Sequence, residues 1–254
     1  MKIQIKQLLI ITLFIAVGNI ALYLFIFPKI NSKKENNKEN GYAYISGKVT
    51  DFNNNPIEKA TVGIKNANFK DIYQTQTDKN GNYKIKVKSG NYFALYAINK
   101  SDYSKTKLEY WAWNIPAQED ITINPEYDNL EIYGIHIFEP ITKPNDTYRI
   151  YFRPMSLKKF KQINESDTID IIPILQKEEI TIKINDKLAI IKTLDKVLEY
   201  NSTGKYIYSY ELQVIKPQDD INRAIDKISI KIYSNETNEI GKSDYFFRKK
   251  DLNN

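Results

Sequence analysis

Tyr83-Lys84-Ile85-Lys86-Val87-Lys88 alternates apolar and ammonium side chains without a break. Successive side chains of a strand point to opposite faces, so this run has one face for a core and one for water. The pattern recurs. Ala43, Ile45, Gly47 and Val49 alternate with polar or exposed-type residues, and Ala60, Val62 and Ile64 continue it. Residues 91–99 are apolar on both faces, with Phe93, Leu95 and Ala97 on one and Tyr92, Tyr96 and Ile98 on the other, as suits a central strand. Asn53-Asn54-Asn55-Pro56, Asp78-Lys79-Asn80-Gly81-Asn82 and Ser89-Gly90 are turn chemistry between the runs. Short strands with turns about every 8–12 residues predict an antiparallel β-sandwich.

The alternation persists in the second half. Runs beginning at Leu130, Tyr148, Ile180, Tyr206 and Ile228 read as strands, and Tyr245 opens an edge run. Two helical fragments interrupt them: Leu157, Phe160 and Ile163 share one helical face, and Ile221, Ala224, Ile225 and Ile228 share another after a capping Asp219 or Asp220. Five or more strands in about 120 residues predict a second β-sandwich, immunoglobulin-like in architecture.

Ahead of the strands stands a segment of another kind. Residues 8–27, opening on Leu8 and closing on Phe27, carry no charge and have only Thr12 and Asn19 as distinctly polar members. Twenty residues at about 1.5 Å each span a hydrocarbon core of about 30 Å. A signal peptide cleaved at Ala16-Val17-Gly18 would leave nine further apolar residues on the mature protein. The length therefore favours an uncleaved anchor in the lipid bilayer. Lys29, Lys33, Lys34 and Lys38 follow the span, against Lys2 and Lys6 before it, which argues for a cytoplasmic C-terminus. The β-modules argue for the opposite orientation, since large domains translocate largely regardless of charge. The expected organisation is mainly β: an anchor (or signal segment) over residues 1–28, a polar linker over 29–41, and sandwiches over 42–117 and 118–254. The expected location is the cell membrane, single-pass, with both sandwiches extracytoplasmic in a bacterial-type envelope.

Residues 45–64 (ISGKVTDFNNNPIEKATVGI) and 77–97 (TDKNGNYKIKVKSGNYFALYA) resemble the carboxypeptidase regulatory-like domain, a transthyretin-like (prealbumin-like) β-sandwich. The pattern is carried by Gly47, Val49, Asp51, Pro56, Ala60 and Val62, then by Thr77, Asp78, Gly81, Tyr83, Gly90 and Tyr92. The resemblance covers roughly residues 43–110. It implies a fold and no activity, because the family is an accessory module without catalytic residues to transfer.

The chemistry open to the chain is narrow. With no Cys there is no disulfide, thiolate metal site, Cys nucleophile or lipid-modified cysteine, and one His leaves no multi-His site. No cofactor is expected. Lys and Arg number 37 against 31 acids, but residues 1–40 alone carry +4 and residues 41–110 +5, while the remainder is −3. The basic balance belongs to the anchor region and first sandwich, and no nucleic-acid partner is expected.

Three features merit a structural test. His136 and Glu139 form a His-x-x-Glu, the opening of the carboxypeptidase zinc site. A second His is missing, and on a strand the two residues point to opposite faces. Asp78-x-Asn80-x-Asn82 mimics a calcium loop but has Tyr83 and Ser89 where such a loop needs Gly and Glu, so a turn is expected. Tyr110, Trp111 and Trp113 are the candidate ligand contacts. Trp111 and Trp113 share a strand face, and exposed they would stack on sugar rings; buried, they would pin the sandwiches together. The expected function is a non-enzymatic, membrane-anchored binding or interaction protein, its partner an extracellular protein or a glycan. The alternatives are carbohydrate or cell-wall binding through the tryptophans and, remotely, a carboxylate-based hydrolase.

Overall fold

The computed structural model describes residues 41–140, 146–163, 168–200, 204–217 and 223–249, and the chain there is mainly β. The apolar stretch at residues 8–27 lies outside the described residues. Among those described, no helix is long and apolar enough to cross a membrane.

The first sandwich has a small sheet in which β1 (Tyr42–Lys48) lies between β4 (Asn82–Lys88), antiparallel, and β7 (Ile121–Thr122), parallel. Along β4 buried Tyr83, Ile85 and Val87 alternate strictly with exposed residues. Facing it are β6 (Tyr110–Ala117), β5 (Gly90–Ile98), β2 (Thr61–Lys65) and β3 (Asp71–Gln76), hydrogen-bonded in that order. Ala43, Ile45, Val62, Val87, Leu95 and Tyr110 fill the core between the sheets. Ile123 and Tyr127 belong to the same core, so the first sandwich reaches past the expected boundary at residue 117.

The second sandwich places β8 (Leu130–Phe138), β9 (Thr147–Ser156), β14 (Tyr206–Ile215) and β13 (Ile190–Tyr200) in one sheet, where short β10 (Thr168–Ile169) also joins β14. Against it lie β16 (Glu239–Arg248), β15 (Ile225–Ser234), β11 (Ile180–Ile184) and β12 (Lys187–Leu188). These strands do not form a separate layer. β16 pairs parallel to β6, with Ser243 opposite Trp111, Asp244 opposite Ala112 and Tyr245 opposite Trp113. One eight-stranded sheet therefore runs β12-β11-β15-β16-β6-β5-β2-β3 through both sandwiches.

One helical expectation holds for Leu157 and Phe160, with Ile163 beyond the helix end, and one is overturned. Helix α1 (Leu157–Lys161) buries Leu157 and Phe160, and Ser156 Oγ caps it by accepting the Lys159 amide at 3.0 Å. The expected helical face through Ala224, Ile225 and Ile228 is strand from Ile225 onward; Ile221 lies outside the described residues. Ile228, Ile230 and Ile232 all enter the second core, which a period of two satisfies and a helix cannot. A smaller correction concerns β5. Leu95 and Ala97 do enter the first core and Tyr96 and Ile98 the second, but Phe93 joins the second and Tyr92 the first. The β5–β6 register skips Phe93 and Asn114, and Asn114 takes φ 56°, so the pleat changes phase there.

The turns of the first sandwich repeat one device. Asp51, Asn66 and Asp78 each accept, through Oδ1, the amides two and four residues ahead, at 2.8–3.1 Å. In each, the fourth residue has left-handed backbone: Asn54 at φ 63°, Phe69 at φ 58° and Gly81 at φ 78°. The Asp78-x-Asn80-x-Asn82 run is thus a turn whose carboxylate accepts from the Asn80 and Asn82 amides and the Asn82 side chain. The amides of Asn82 and Asn80 hold the Asp78 carboxyl below its usual range. Gly81 has least freedom, since a Cβ there would lie 2.4 Å from the Val49 carbonyl oxygen. Gly81→Ala should cost about 1–3 kcal/mol in urea denaturation. Asn54→Gly, at the equivalent φ of 63°, should be neutral within about 0.5 kcal/mol.

Candidate functional site at the junction of the sandwiches

β6 has to be apolar on both faces because each faces a different core. Tyr110 and Ala112 point into the first core, Trp111 and Trp113 into the second. The indole rings stack at 5.2 Å with an interplanar angle of 21°. Phe69 closes over both, at 6.0 and 6.3 Å, and Phe93 meets Trp113 edge-on at 5.6 Å. Tyr96 packs on Trp111 at 5.7 Å. The two tryptophans keep 4% and 7% of their surface and Tyr110 none. The expectation of Tyr110, Trp111 and Trp113 as ligand contacts is corrected accordingly: no ring face is open for a sugar to stack on, because the shared sheet turns both sides of β6 into interior.

Polar groups tie the cluster together. Trp111 Nε1 donates to Glu131 Oε1 at 3.0 Å, and Ser243 Oγ donates to the Trp111 carbonyl at 2.7 Å. On the other face Tyr110 Oη donates to Asp244 Oδ2 at 2.6 Å. Glu131 and Glu109 are both buried. Burial, with the Glu109 charge adding to it, pushes the Glu131 carboxyl well above the usual range. Burial likewise raises Glu109 to about 7, although Lys65 and the Trp111 N–H oppose it. These acids were not singled out from the sequence. The available signal was a carboxylate inside an otherwise apolar strand, Leu130-Glu131-Ile132, and another next to the aromatic run at Tyr110.

The remaining candidates separate. His136 lies beside the Tyr151 ring, at 5.9 Å, and burial with the nearby Arg153 charge lowers its pKa. Glu139 lies beyond the end of β8 and pairs with Lys216 Nζ. Phe138, two residues on from His136, is 52% exposed. Other acids of the second sandwich serve as anchors. Asp226 accepts from Tyr148 Oη at 2.6 Å and Asn185 Nδ2 at 2.9 Å, and Glu199 holds Tyr151, Ser209 and Arg153. A shallow cleft of about 390 Å³ beside α1 is lined by Lys105, Lys158 and Lys161 and by Glu239, whose Oε1 accepts the Lys158 amide.

Two outcomes follow from the junction. Acrylamide should quench the intrinsic tryptophan fluorescence of the folded protein only weakly, and urea should restore full quenching. Second, an ordinary Glu ionises near 4.5, whereas Glu109 keeps its proton to about 7. The folded state thus holds a proton the unfolded chain releases, so this stabilisation is complete below about pH 4.5 and is lost as pH rises through 7. The urea midpoint should rise between pH 8 and pH 5. Glu109→Gln, which removes that titrating group and keeps an uncharged polar side chain, should flatten the rise.

The family model for the carboxypeptidase regulatory-like domain matches residues 44–98, inside the segment carrying the sequence motifs. No curated protein matches the chain. Among solved structures, the major pilin subunit BcpA of Bacillus cereus is 12% identical, with 80% of this chain and 67% of that chain covered and a TM-score of 0.25. The major pilin SpaD of Corynebacterium diphtheriae is 8% identical, with 84% and 65% covered and a TM-score of 0.24. A DUF3823 family protein from Bacteroides ovatus is 7% identical, with 80% and 98% covered and a TM-score of 0.24. Likenesses at these TM-scores carry no argument about function. The identity that stands is that of the first sandwich, which matches the carboxypeptidase regulatory-like domain over residues 44–98.

Proposed function

We propose that the chain is a non-enzymatic, membrane-anchored protein that presents its fused sandwiches outside the cytoplasm as an interaction module. Support for the anchor comes from the twenty uncharged residues at 8–27. Support for a non-catalytic role comes from where the acids go: Asp226, Asp244, Glu179, Glu199 and Glu239 hold tyrosines, serines, cations or backbone amides in place.

The observation that carries the interaction reading is β13. It spans eleven residues and pairs with β14 along one edge. No strand pairs with its other edge among the described residues. Ile190, Leu198 and Tyr200 are 66%, 52% and 68% exposed. A long edge strand with apolar side chains is a template for an added strand, in which main-chain hydrogen bonds supply affinity and side chains supply selectivity. The partner class is an extended polypeptide segment. Glycan recognition through Trp111 and Trp113 is not retained, since stacking needs ring faces that the junction covers.

Protease applied to intact cells, with any outer barrier opened, should digest epitopes within residues 42–254. Full protection of those epitopes would overturn the extracytoplasmic assignment.

A further inference from the structure

The outward face of the small sheet in the first sandwich serves neither core. Its register sets Tyr42 opposite Lys88, Tyr44 opposite Lys86 and Ser46 opposite Lys84, with Lys48 at the far end. Lys84 Nζ lies 3.8 Å from the Tyr44 ring centroid and Lys86 Nζ 4.2 Å from that of Tyr42. No carboxylate among the described residues lies within ion-pair distance of these four lysines. Arg149, Arg153 and Lys242 of the second sandwich, by contrast, are paired with Glu211, Glu199 and Glu126.

A row of lysines on an edge strand can serve only to keep it hydrated. That role does not call for tyrosines beneath the ammonium groups, and Tyr42 is 60% exposed. Unpaired ammonium groups over interfacial tyrosine rings match a layer of phosphate oxygens bordering an apolar phase. Position agrees with chemistry. β1 opens at Tyr42, so the Tyr42/Lys88 end of the face adjoins the segment leading back to residues 8–27. Residues 29–41 add four lysines, and at full extension thirteen residues reach about 45 Å. Tethering makes docking intramolecular, so weak contacts suffice.

We infer that this face lies against anionic lipid headgroups of the membrane that holds the chain. The inference rests on the anchoring proposed above. It is tested on the full chain in lipid nanodiscs of phosphatidylcholine, with or without about one third phosphatidylglycerol, by amine-reactive labelling read per lysine by mass spectrometry. With phosphatidylglycerol, labelling of Lys84, Lys86 and Lys88 should fall about fivefold. It should recover in about 1 M NaCl, where the screening length is about 3 Å. Lys177 and Lys183 of the second sandwich should be unaffected. In the K84E/K86E/K88E chain, Lys48 should lose its protection. A chain that enters discs of both compositions and is labelled equally in each overturns the docking alone. A chain that enters neither overturns the anchor and the docking with it. Protection conferred by soluble polyphosphate but not by phosphatidylglycerol would assign the face to a polyanion and overturn the lipid assignment.

Discussion

Parallel pairing of β16 with β6 is the contact on which the rest of the molecule depends. Ser243, Asp244 and Tyr245 lie opposite Trp111, Ala112 and Trp113, joining strands more than a hundred residues apart. Without it, β6 would be an edge strand of a small sandwich, and its tryptophans would face water. With it, β6 is interior on both sides, and a single sheet serves two cores. Gly241 lets β16 run close to β8: a Cβ there would lie 2.1 Å from the Leu130 carbonyl oxygen. Long-range pairing of this kind is entropically costly to close, so apolar burial on both faces has to offset it.

Two populations of buried acids follow from that geometry. Asp244 and Asp226 are each reached by both a tyrosine hydroxyl and a lysine. Such acids are satisfied by donors and hold the layers in register. Glu109 and Glu131 lie at the junction, where the indole N–H of Trp111 is the donor they share and the Glu109 charge disfavours ionisation of Glu131. Keeping a proton is the cheaper solution there, because an uncompensated buried carboxylate costs far more than a neutral one. The same reasoning separates this pair from a catalytic acid pair: both are closed off by rings and strands.

Much of the architecture was legible in short-range pattern. The strict alternation at Tyr83, Ile85 and Val87 set β4, and the apolar-on-both-faces run at residues 91–99 announced a central strand. The Asp51 and Asp78 turns were legible because Asx capping and left-handed backbone are local events. The third copy, at Asn66, passed unremarked because Phe69 occupies the left-handed position that Gly or Asn normally takes. Its ring is held there by contact with Phe93, Trp111 and Trp113, a tertiary cause. The helical misreading before Ile228 arose where period-two and period-3.6 patterns overlap on the same isoleucines.

The chain by itself determined that strands would form, where most of them turn, and which side chains each would hide. Those depend on pleat period and turn chemistry within a few residues. It also determined, by lacking Cys and holding one His, which chemistries are closed to it. Only the tertiary structure decided that the two sandwiches share a sheet, that Trp111 and Trp113 are interior, and that Glu109 and Glu131 meet around one indole. Alternation states that a strand has a buried face without naming what buries it, and here the answer lies more than a hundred residues away, in β16.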